Sequence, residues 1–305
     1  MKKPVNRPYV VNSVSELHRY FSLPKPDHPL VSVINLKDIK TRADESVKSI
    51  VFNFYSIWLE QDVQGKLRYG QNYFDFDEGL MIFISPGQVI SRASHTYKSS
   101  GWGLVFHPDF LKHYSLATSI KGYGYFSYAV NEALFLSGKE QAMVISLMQN
   151  ISKEYRSTID NFSQDVIVSQ IELLLNYSNR FYNRQFITRK SASNDLLTKM
   201  EILLSDYFEK GNPQELGLPT VQYLSGQLNV SSSYLSDMLR SLTGQNMQQH
   251  IHHCLIEKAK ELLTLGNLTV AEIAFRLGFE HPQSFSKIFK RKTTLSPVEF
   301  KRSLN

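Results

Sequence analysis

The sequence predicts an α+β protein, with an N-terminal β-barrel or sandwich that is followed by two helices and then by an all-α domain. Between residues 30 and 106, short runs rich in Val, Ile, Phe and Tyr alternate with turn signals such as Gly79 and Pro86-Gly87. After residue 137 the apolar residues recur at helical spacing instead. The length of 305 residues allows two domains that each bury a core.

The N-terminal elements are predicted from these two periods. Runs such as residues 49–55 indicate strands, and several strands at short spacing favour a sandwich or barrel. Residues 137–155 and 163–186 then predict two amphipathic helices, which either pack on the core or form an antiparallel pair used in dimerisation. The polar segment 188–194 is predicted to be a linker between domains 1–187 and 195–305.

Bulk properties exclude several classes of protein. The single cysteine, Cys254, excludes a disulfide framework, and no apolar run approaches the roughly 20 residues that span a bilayer. No signal peptide is visible, so the sequence predicts a cytoplasmic protein without a membrane partner. The net charge of +6 favours a polyanionic partner only weakly.

The C-terminal segment contains an internal near-repeat that predicts two helix-turn-helix units, at about 220–244 and 269–294. Each copy has a small residue in its first helix, then a turn residue, a capping signal and a second apolar stripe. Ordinary helical hairpins explain one copy, but two copies that match at all these positions favour DNA binding. The matched pairs are Thr220 and Thr269, Leu224 and Ile273, Ser225 and Ala274, Leu228 and Leu277, Asn229 and Gly278, Val230 and Phe279, Ser231 and His281-Pro282, Leu235 and Phe285, and Leu239 and Phe289.

Between the copies, residues 246–265 predict a helix roughly 27–30 Å long. This length is close to the ~34 Å repeat of the DNA duplex. A rigid spacer of that size could place two recognition helices in successive major grooves.

These residues resemble the DNA-binding domain of the AraC/XylS family of transcription regulators over about 197–302, a third of the chain. Thr294 departs from the family pattern, which usually has glycine there, so the turn must form without an easy positive φ. The resemblance is carried by Ile273-Ala274, Gly278-Phe279, Ser284-Phe285, Phe289-Lys290-Arg291 and Ser296-Pro297, and upstream by Ser231, Tyr234-Leu235 and Thr243-Gly244.

In a helix-turn-helix, the exposed face of the second helix meets base edges, and the resemblance implies the same positions. Gln283 suits adenine, whereas Lys287 suits guanine or a phosphate. Asp237 is repelled by phosphates unless it accepts from cytosine or pairs with Arg240, so the first unit is expected to read fewer bases. The predicted base-reading residues are Ser232, Ser233, Ser236, Asp237, Arg240, Gln283, Ser284, Ser286 and Lys287.

The densest basic cluster of the sequence lies beside the second recognition helix. A solvated surface is the alternative interpretation, but phosphate contact is favoured next to a helix that reads bases. Such contacts add affinity that depends on salt and not on sequence. The predicted phosphate contacts are Tyr234, Lys290, Arg291, Lys292 and Arg302, and Lys301 belongs to the same cluster.

The N-terminal domain resembles the cupin-like sensor domains of the same family, through segments such as residues 83–88 and 104–109. The His-X-His ligand pattern of a metal-dependent cupin is missing, since His95, His107 and His113 stand apart, so neither metal nor cofactor is expected. His252, His253 and Cys254 cannot share one helix face, so a metal site is not expected there either. Aromatic residues that could line an effector site are Phe54, Tyr55, Trp58, Tyr73, Phe76 and Trp102, although plain core packing explains each equally well.

The leading hypothesis is a transcription regulator, not an enzyme, that binds double-stranded DNA as a homodimer and responds to a small-molecule effector. RNA polymerase is a further expected partner if the protein activates transcription. One alternative is a DNA-binding regulator that responds to a protein partner or to nothing. The other alternative is a cupin-type enzyme with a helical appendage.

Overall fold

A computed structural model describes residues 8–39, 49–61, 68–69, 72–73, 79–91, 100–129, 132–157, 160–188 and 190–303. The chain divides into two compact units, Met1–Gln185 and Phe186–Asn305. The first unit contains the strands and the second is helical, so the predicted α+β class is confirmed.

The larger sheet of the N-terminal unit has five antiparallel strands in the order β10-β7-β4-β9-β2. Its strands are rich in β-branched and aromatic residues, which pack well on a pleated surface. Both β10 and β2 are edges among the strands that the structure describes, so these pairings do not show a closed barrel. The strands are β2 (Val31–Asn35), β4 (Tyr55–Gln61), β7 (Gly79–Ile84), β9 (Ser100–Phe106) and β10 (Leu134–Leu136).

A smaller sheet faces the larger one. It has three strands, in which β1 (Tyr9–Val11) pairs in parallel with β3 (Ser49–Phe52), and β3 pairs antiparallel with β8 (Val89–Ser91). Phe52 from this sheet and Ile84 and Val105 from the larger sheet belong to one buried cluster, so the sheets form a sandwich. A separate two-stranded ribbon joins β5 (Arg68–Tyr69) and β6 (Asn72–Tyr73).

The helices of this unit are α1 (Val14–Tyr20), α2 (Leu116–Ser119), α3 (Gly138–Arg156) and α4 (Ser163–Thr188). Both long helices bury apolar side chains, so they pack on the core, whereas their use in dimerisation stays a prediction. Val33 on β2 donates its N–H to the Tyr155 hydroxyl of α3 at 3.0 Å. The fully buried side chains include Val144, Met148, Ile151, Ile171, Leu174 and Leu175.

In the described residues of the segment 188–194, which the sequence predicts to be a linker, the backbone is helical. Helix α4 ends at Thr188, and α5 (Lys190–Glu209) begins two residues later. The segment contains neither glycine nor proline, so none of its residues interrupts a helical backbone.

Seven further helices complete the C-terminal unit. One apolar cluster includes Leu255 and Ala259 from the central helix α9, together with Ile273, Phe285 and Phe289. No helix in the described part of the chain is long and apolar enough to cross a membrane. The helices are α6 (Asn212–Leu216), α7 (Val221–Leu228), α8 (Ser232–Thr243), α9 (Met247–Leu265), α10 (Val270–Arg276), α11 (Pro282–Thr293) and α12 (Pro297–Ser303).

Candidate nucleic-acid interface

Two helix pairs form the candidate interface, and we call α7 with α8 the first unit pair and α10 with α11 the second unit pair. Their turns close in the same way. Val230 donates its N–H to the Ser225 carbonyl, and Phe279 donates to the Ala274 carbonyl, both at 3.0 Å. This bond, which spans five residues, is the closing bond of a Schellman motif. The repeat seen in the sequence is therefore also a repeat of backbone geometry.

The turn residues have the left-handed backbone that the sequence predicts. The φ angle is 55° at Asn229 and 85° at Gly278. At Gly278 a Cβ atom would lie 2.8 Å from the Pro213 carbonyl oxygen, so glycine is required by space as well as by backbone angle. The small residues Ser225 and Ala274 are buried where the helices of each pair meet.

The second helix of each pair begins differently. Ser231 caps α8, because its hydroxyl accepts from the Tyr234 N–H at 3.2 Å. His281 occupies the cap position of α11 but forms no capping bond with its side chain, and Pro282 supplies the first helical residue. Proline suits this position because its fixed φ is already helical and its missing N–H would lack an intrahelical partner.

Both helices end in a left-handed residue. Gly244 has φ 72° and Thr294 has φ 68°, and each donates its N–H four residues back, at 2.9 Å. The sequence predicts a turn at Thr294 without an easy positive φ, yet the structure adopts one. A β-branched residue in this conformation costs roughly 1–2 kcal/mol, so the second unit pair carries strain that glycine spares the first.

Helix α11 presents the predicted base-reading residues on its outer face. Gln283, Ser284 and Lys287 are exposed, whereas Phe285 and Phe289 on the opposite side are completely buried. The Ser286 hydroxyl is half-buried and donates to the Pro282 carbonyl at 3.0 Å, which leaves its lone pairs as acceptors. This arrangement leaves one polar face of the helix open to a groove.

Helix α8 offers less of its predicted reading face. Ser232 shares a hydrogen bond with the buried Ser225 hydroxyl at 2.8 Å, and Ser236 donates to the Ser232 carbonyl at 2.7 Å. Ser233 and Asp237 are half-buried, while Arg240 is exposed. The Ser236 hydroxyl proton is therefore used inside the helix, and the lone pairs that remain can accept only from base amino groups.

Charge separates the two helices further. Helix α11 carries Lys287, Lys290, Arg291 and Lys292 and no acidic residue, a net charge of +4. The charged residues of α8 are Asp237 and Arg240, which cancel. All four cations of α11 are exposed, so their charge is available to a polyanion.

The remaining phosphate candidates are less uniform. Arg302 is exposed, and Tyr234 is half-buried at the start of α8. Lys301 instead donates to the carbonyls of Gly266 and Leu268, both at 3.1 Å, so it stabilises the end of α9. That role depends on a carbonyl 35 residues away in the chain, which no local sequence signal could show.

His252 is a neighbour of the basic cluster that the sequence patterns did not single out as part of the interface. Its pKa is lowered by burial and, to a smaller extent, by the charges of Lys292 and Arg291. The basic cluster of α11 therefore reaches the central helix α9, on which His252 lies.

The predicted effector residues of the N-terminal unit do not converge on one site. Tyr55 and Trp102 lie on one face of the larger sheet and Trp58 on the other, since Leu59 pairs with Trp102 while Trp58 pairs with Gly103. Phe54 is fully buried in the core between the sheets. The Tyr73 side chain and Phe76 lie outside the described residues, as does His95.

No group of three His, Cys, Asp or Glu side chains in the described ranges could hold a metal ion. His107 instead accepts a hydrogen bond at Nδ1 from the Asp109 N–H at 3.2 Å. His250 shares a hydrogen bond with the Thr243 hydroxyl at 2.9 Å, which ties α8 to α9. Both histidines thus have local structural partners.

Comparison with known proteins finds similarity to a helix-turn-helix domain and to proteins named as regulators. Residues 224–303 match a family model described as a helix-turn-helix domain. The chain is 32% identical over 130 residues to the transcriptional regulatory protein YesN of Bacillus subtilis, covering 40% of this chain and 34% of YesN. It is 27% identical over 141 residues to the transcriptional activator RhaS of Klebsiella pneumoniae, covering 46% of each.

The chain therefore spans about a third to a half of these relatives. The matched domain is a helix-turn-helix domain and both relatives are named as regulators, which agrees with the prediction that the chain is not an enzyme. Among solved structures, ToxT from Vibrio cholerae is 14% identical with a TM-score of 0.31, covering 90% of this chain and 98% of that chain. That likeness is too slight to assign a fold family to the N-terminal unit.

Proposed function

We propose that the chain is a DNA-binding transcription regulator of the AraC/XylS kind, which reads sequence chiefly through its second unit pair. The same unit pair supplies most of the charge that holds the phosphate backbone. The N-terminal unit is proposed to bind a small-molecule effector that favours one arrangement of the regulator over another.

The main support for this proposal is that α11 has one buried apolar face and one exposed polar face. Phe285 and Phe289 fix one side in the core, while Gln283 and Lys287 stand exposed on the other. An amide and an ammonium are side-chain groups that bind adenine and guanine edges in the major groove. Lys290, Arg291 and Lys292 follow in the last turns of the helix, where they can meet phosphate.

The spacer helix α9 supports the use of both unit pairs on one duplex. Its 19 residues correspond to about 28 Å. This is close to the ~34 Å between successive major-groove sites on one face of DNA. Asn246 and Gln249 cap its start reciprocally, at 2.8 and 2.9 Å, which stiffens the end next to α8.

The test is selection of preferred sites from a random duplex library with the full chain, followed by titration of the best site and of a scrambled duplex. The proposal predicts an affinity at least a thousandfold higher for the selected site, in the usual range for specific binding. Equal affinity for both duplexes, at low and high salt, would contradict it. The paired substitutions Gln283→Ala and Ser303→Ala should respectively lose and keep the preference.

The homodimer expected from the sequence is proposed to use α4. Phe162, just before the helix, and Val166 and Leu173 within it are exposed, and their helical spacing puts them on one stripe. Sedimentation of the full chain should show a dimer, and Leu173→Glu should shift it toward monomer. A wild-type chain that stays monomeric at micromolar concentration would contradict this part of the proposal.

A further inference from the structure

A cavity of about 270 Å³ lies between the two sheets of the N-terminal unit. Its wall is formed by β3 and β8 on one side and by β4 and β7 on the other, with contributions from the segments after α1 and β2. Among the described residues of the wall, all but one are apolar. The lining residues are Phe21, Leu36, Ile39, Ile50, Phe52, Trp58, Glu60, Ile82, Ile84 and Ile90.

Strand pairing explains why these residues meet. Trp58 and Glu60 are two residues apart on β4, so their side chains lie on the same face of the sheet. Ile82 on β7 lies opposite Trp58. Strand β9 pairs with the other edge of β4, and there Gly103 lies opposite Trp58. A Cβ atom at Gly103 would lie 2.2 Å from the Trp58 ring, so glycine leaves the space that this ring occupies. The indole N–H donates to the Ser56 hydroxyl at 3.0 Å, which holds the ring in place.

Glu60 is the exception in this wall. Burial raises the pKa of its carboxyl group, which shows that the charged form is poorly solvated. No described residue forms a hydrogen bond or an ion pair with it. A carboxyl group in apolar surroundings without a partner carries a desolvation cost that a donor entering the cavity would remove.

We propose that this cavity is the effector site and that it takes a small hydrophobic amine, whose ammonium group pairs with Glu60. The proposal rests on the effector-controlled regulator proposed above and names the class of ligand. A 150 Å³ cavity holds benzene, so the volume suits a ring with a short chain. The rings of Trp58, Phe21 and Phe52 also attract a cation, whereas a carboxylate ligand would be repelled by Glu60.

The experiment titrates the full chain by calorimetry with three probes of one shape: 2-phenylethylamine, 2-phenylethanol and 3-phenylpropionate. The amine should bind at least tenfold more tightly than the alcohol, and the carboxylate should bind least. This order needs no variant. Equal binding of the amine and the alcohol, tighter binding of the carboxylate, or no binding of any probe would overturn the proposal.

Variants then locate the site. Glu60→Gln should weaken the amine at least tenfold and change the alcohol less than threefold, while Asp38→Asn, an exposed carboxylate outside the cavity, should change neither. Ile90→Trp should block all three probes, whereas Val89→Trp, on the exposed face of the same strand, should block none. Amine binding that survives both Glu60→Gln and Ile90→Trp would overturn the assignment.

The same protein samples are titrated with the selected DNA duplex. A chain that binds DNA specifically but binds no amine refutes the cavity assignment and leaves the proposed DNA-binding function intact. A chain that binds the amine but shows no DNA preference refutes the proposed function. The two failures are therefore distinguishable in one set of preparations.

Discussion

The two unit pairs share a backbone and differ in what they present to solvent. Their closing hydrogen bonds, Val230 to Ser225 and Phe279 to Ala274, have the same length. Yet Lys287 of the second unit pair stands where the first has Asp237, 50 residues earlier. The turn is therefore set by packing and backbone angle, whereas the outer residues of the second helix are free to vary with function.

The two unit pairs also differ in which residues adopt a positive φ. The first has Asn229 in its turn and Gly244 at its end, while the second has Gly278 and Thr294 at the matching places. The first unit pair thus has glycine at the helix end and not in the turn, whereas the second has glycine in the turn and not at the helix end. Pro213 closely approaches Gly278, whereas a Cβ atom at Gly244 would have nothing within 4 Å, so the exchange has measurable consequences.

The largest effect is expected at the turn of the second unit pair. Gly278→Ala should destabilise α10 and α11 by about 3 kcal/mol, because alanine meets both an unfavourable φ and the Pro213 carbonyl. The matched variant Asn229→Ala keeps only the backbone penalty, about 1 kcal/mol. Hydrogen exchange of peptides from each helix pair measures both, and equal losses would show that the close approach has no energetic effect.

Lys290 and Arg240 are exposed cations at equivalent positions of the two recognition helices, and replacing either is expected to have a smaller effect, on DNA affinity. Lys290→Ala should weaken selected and scrambled duplexes by the same factor and reduce the slope of log affinity against log salt by about 1. Loss of affinity for the selected duplex alone would show that Lys290 reads bases. Arg240→Ala should instead weaken the selected duplex more than the scrambled one, as expected for a base contact.

The helix ends should respond in opposite directions. Thr294→Gly should stabilise the second unit pair by about 1 kcal/mol, because glycine adopts positive φ without strain. Gly244→Thr should destabilise the first by a similar amount. Thermal unfolding with hydrogen exchange assigns each change to its helix pair, and destabilisation by Thr294→Gly would contradict the strain.

The smallest effect is expected at the start of α10. Glu272 accepts from the Thr269 N–H at 2.7 Å, and this bond lowers the pKa of its carboxyl group, whereas the equivalent residue of the first unit pair is Tyr223. A lowered folded-state pKa gives stability that is present above the unfolded pKa and is lost as pH falls through the folded value.

The melting temperature should fall as the pH is lowered from 6 to 3. In Glu272→Gln this fall should be smaller by about 2 °C, because the variant lacks the titrating carboxyl group. The matched variant Glu280→Gln, an exposed carboxylate in the following turn, should leave that loss unchanged. An unchanged profile for Glu272→Gln would show that the cap does not contribute.

Sequence periodicity was sufficient for the features that depend on neighbours in the chain. The small and turn residues of both unit pairs, such as Ala274 and Asn229, follow from helical spacing and from backbone preferences. Features that depend on distant partners were missed. The Lys301 contact with Gly266 and the burial of Glu60 beside Trp58 both require knowledge of how the elements pack. The helical backbone of residues 190–194 was not indicated by the sequence, because polar residues without glycine or proline suit a helix as well as an irregular segment.

We expect the second unit pair to read sequence more than the first, and a titration of two matched variants distinguishes the pairs. Lys287→Ala and Asp237→Ala are compared in the full chain on the selected and the scrambled duplex. Lys287→Ala should lower affinity for the selected site by roughly 10- to 100-fold, as expected for the 1–3 kcal/mol of a base contact, and affect the scrambled duplex much less. Asp237→Ala should leave the preference intact. Equal losses on both duplexes for Lys287→Ala, or a greater loss of preference for Asp237→Ala, would contradict the account.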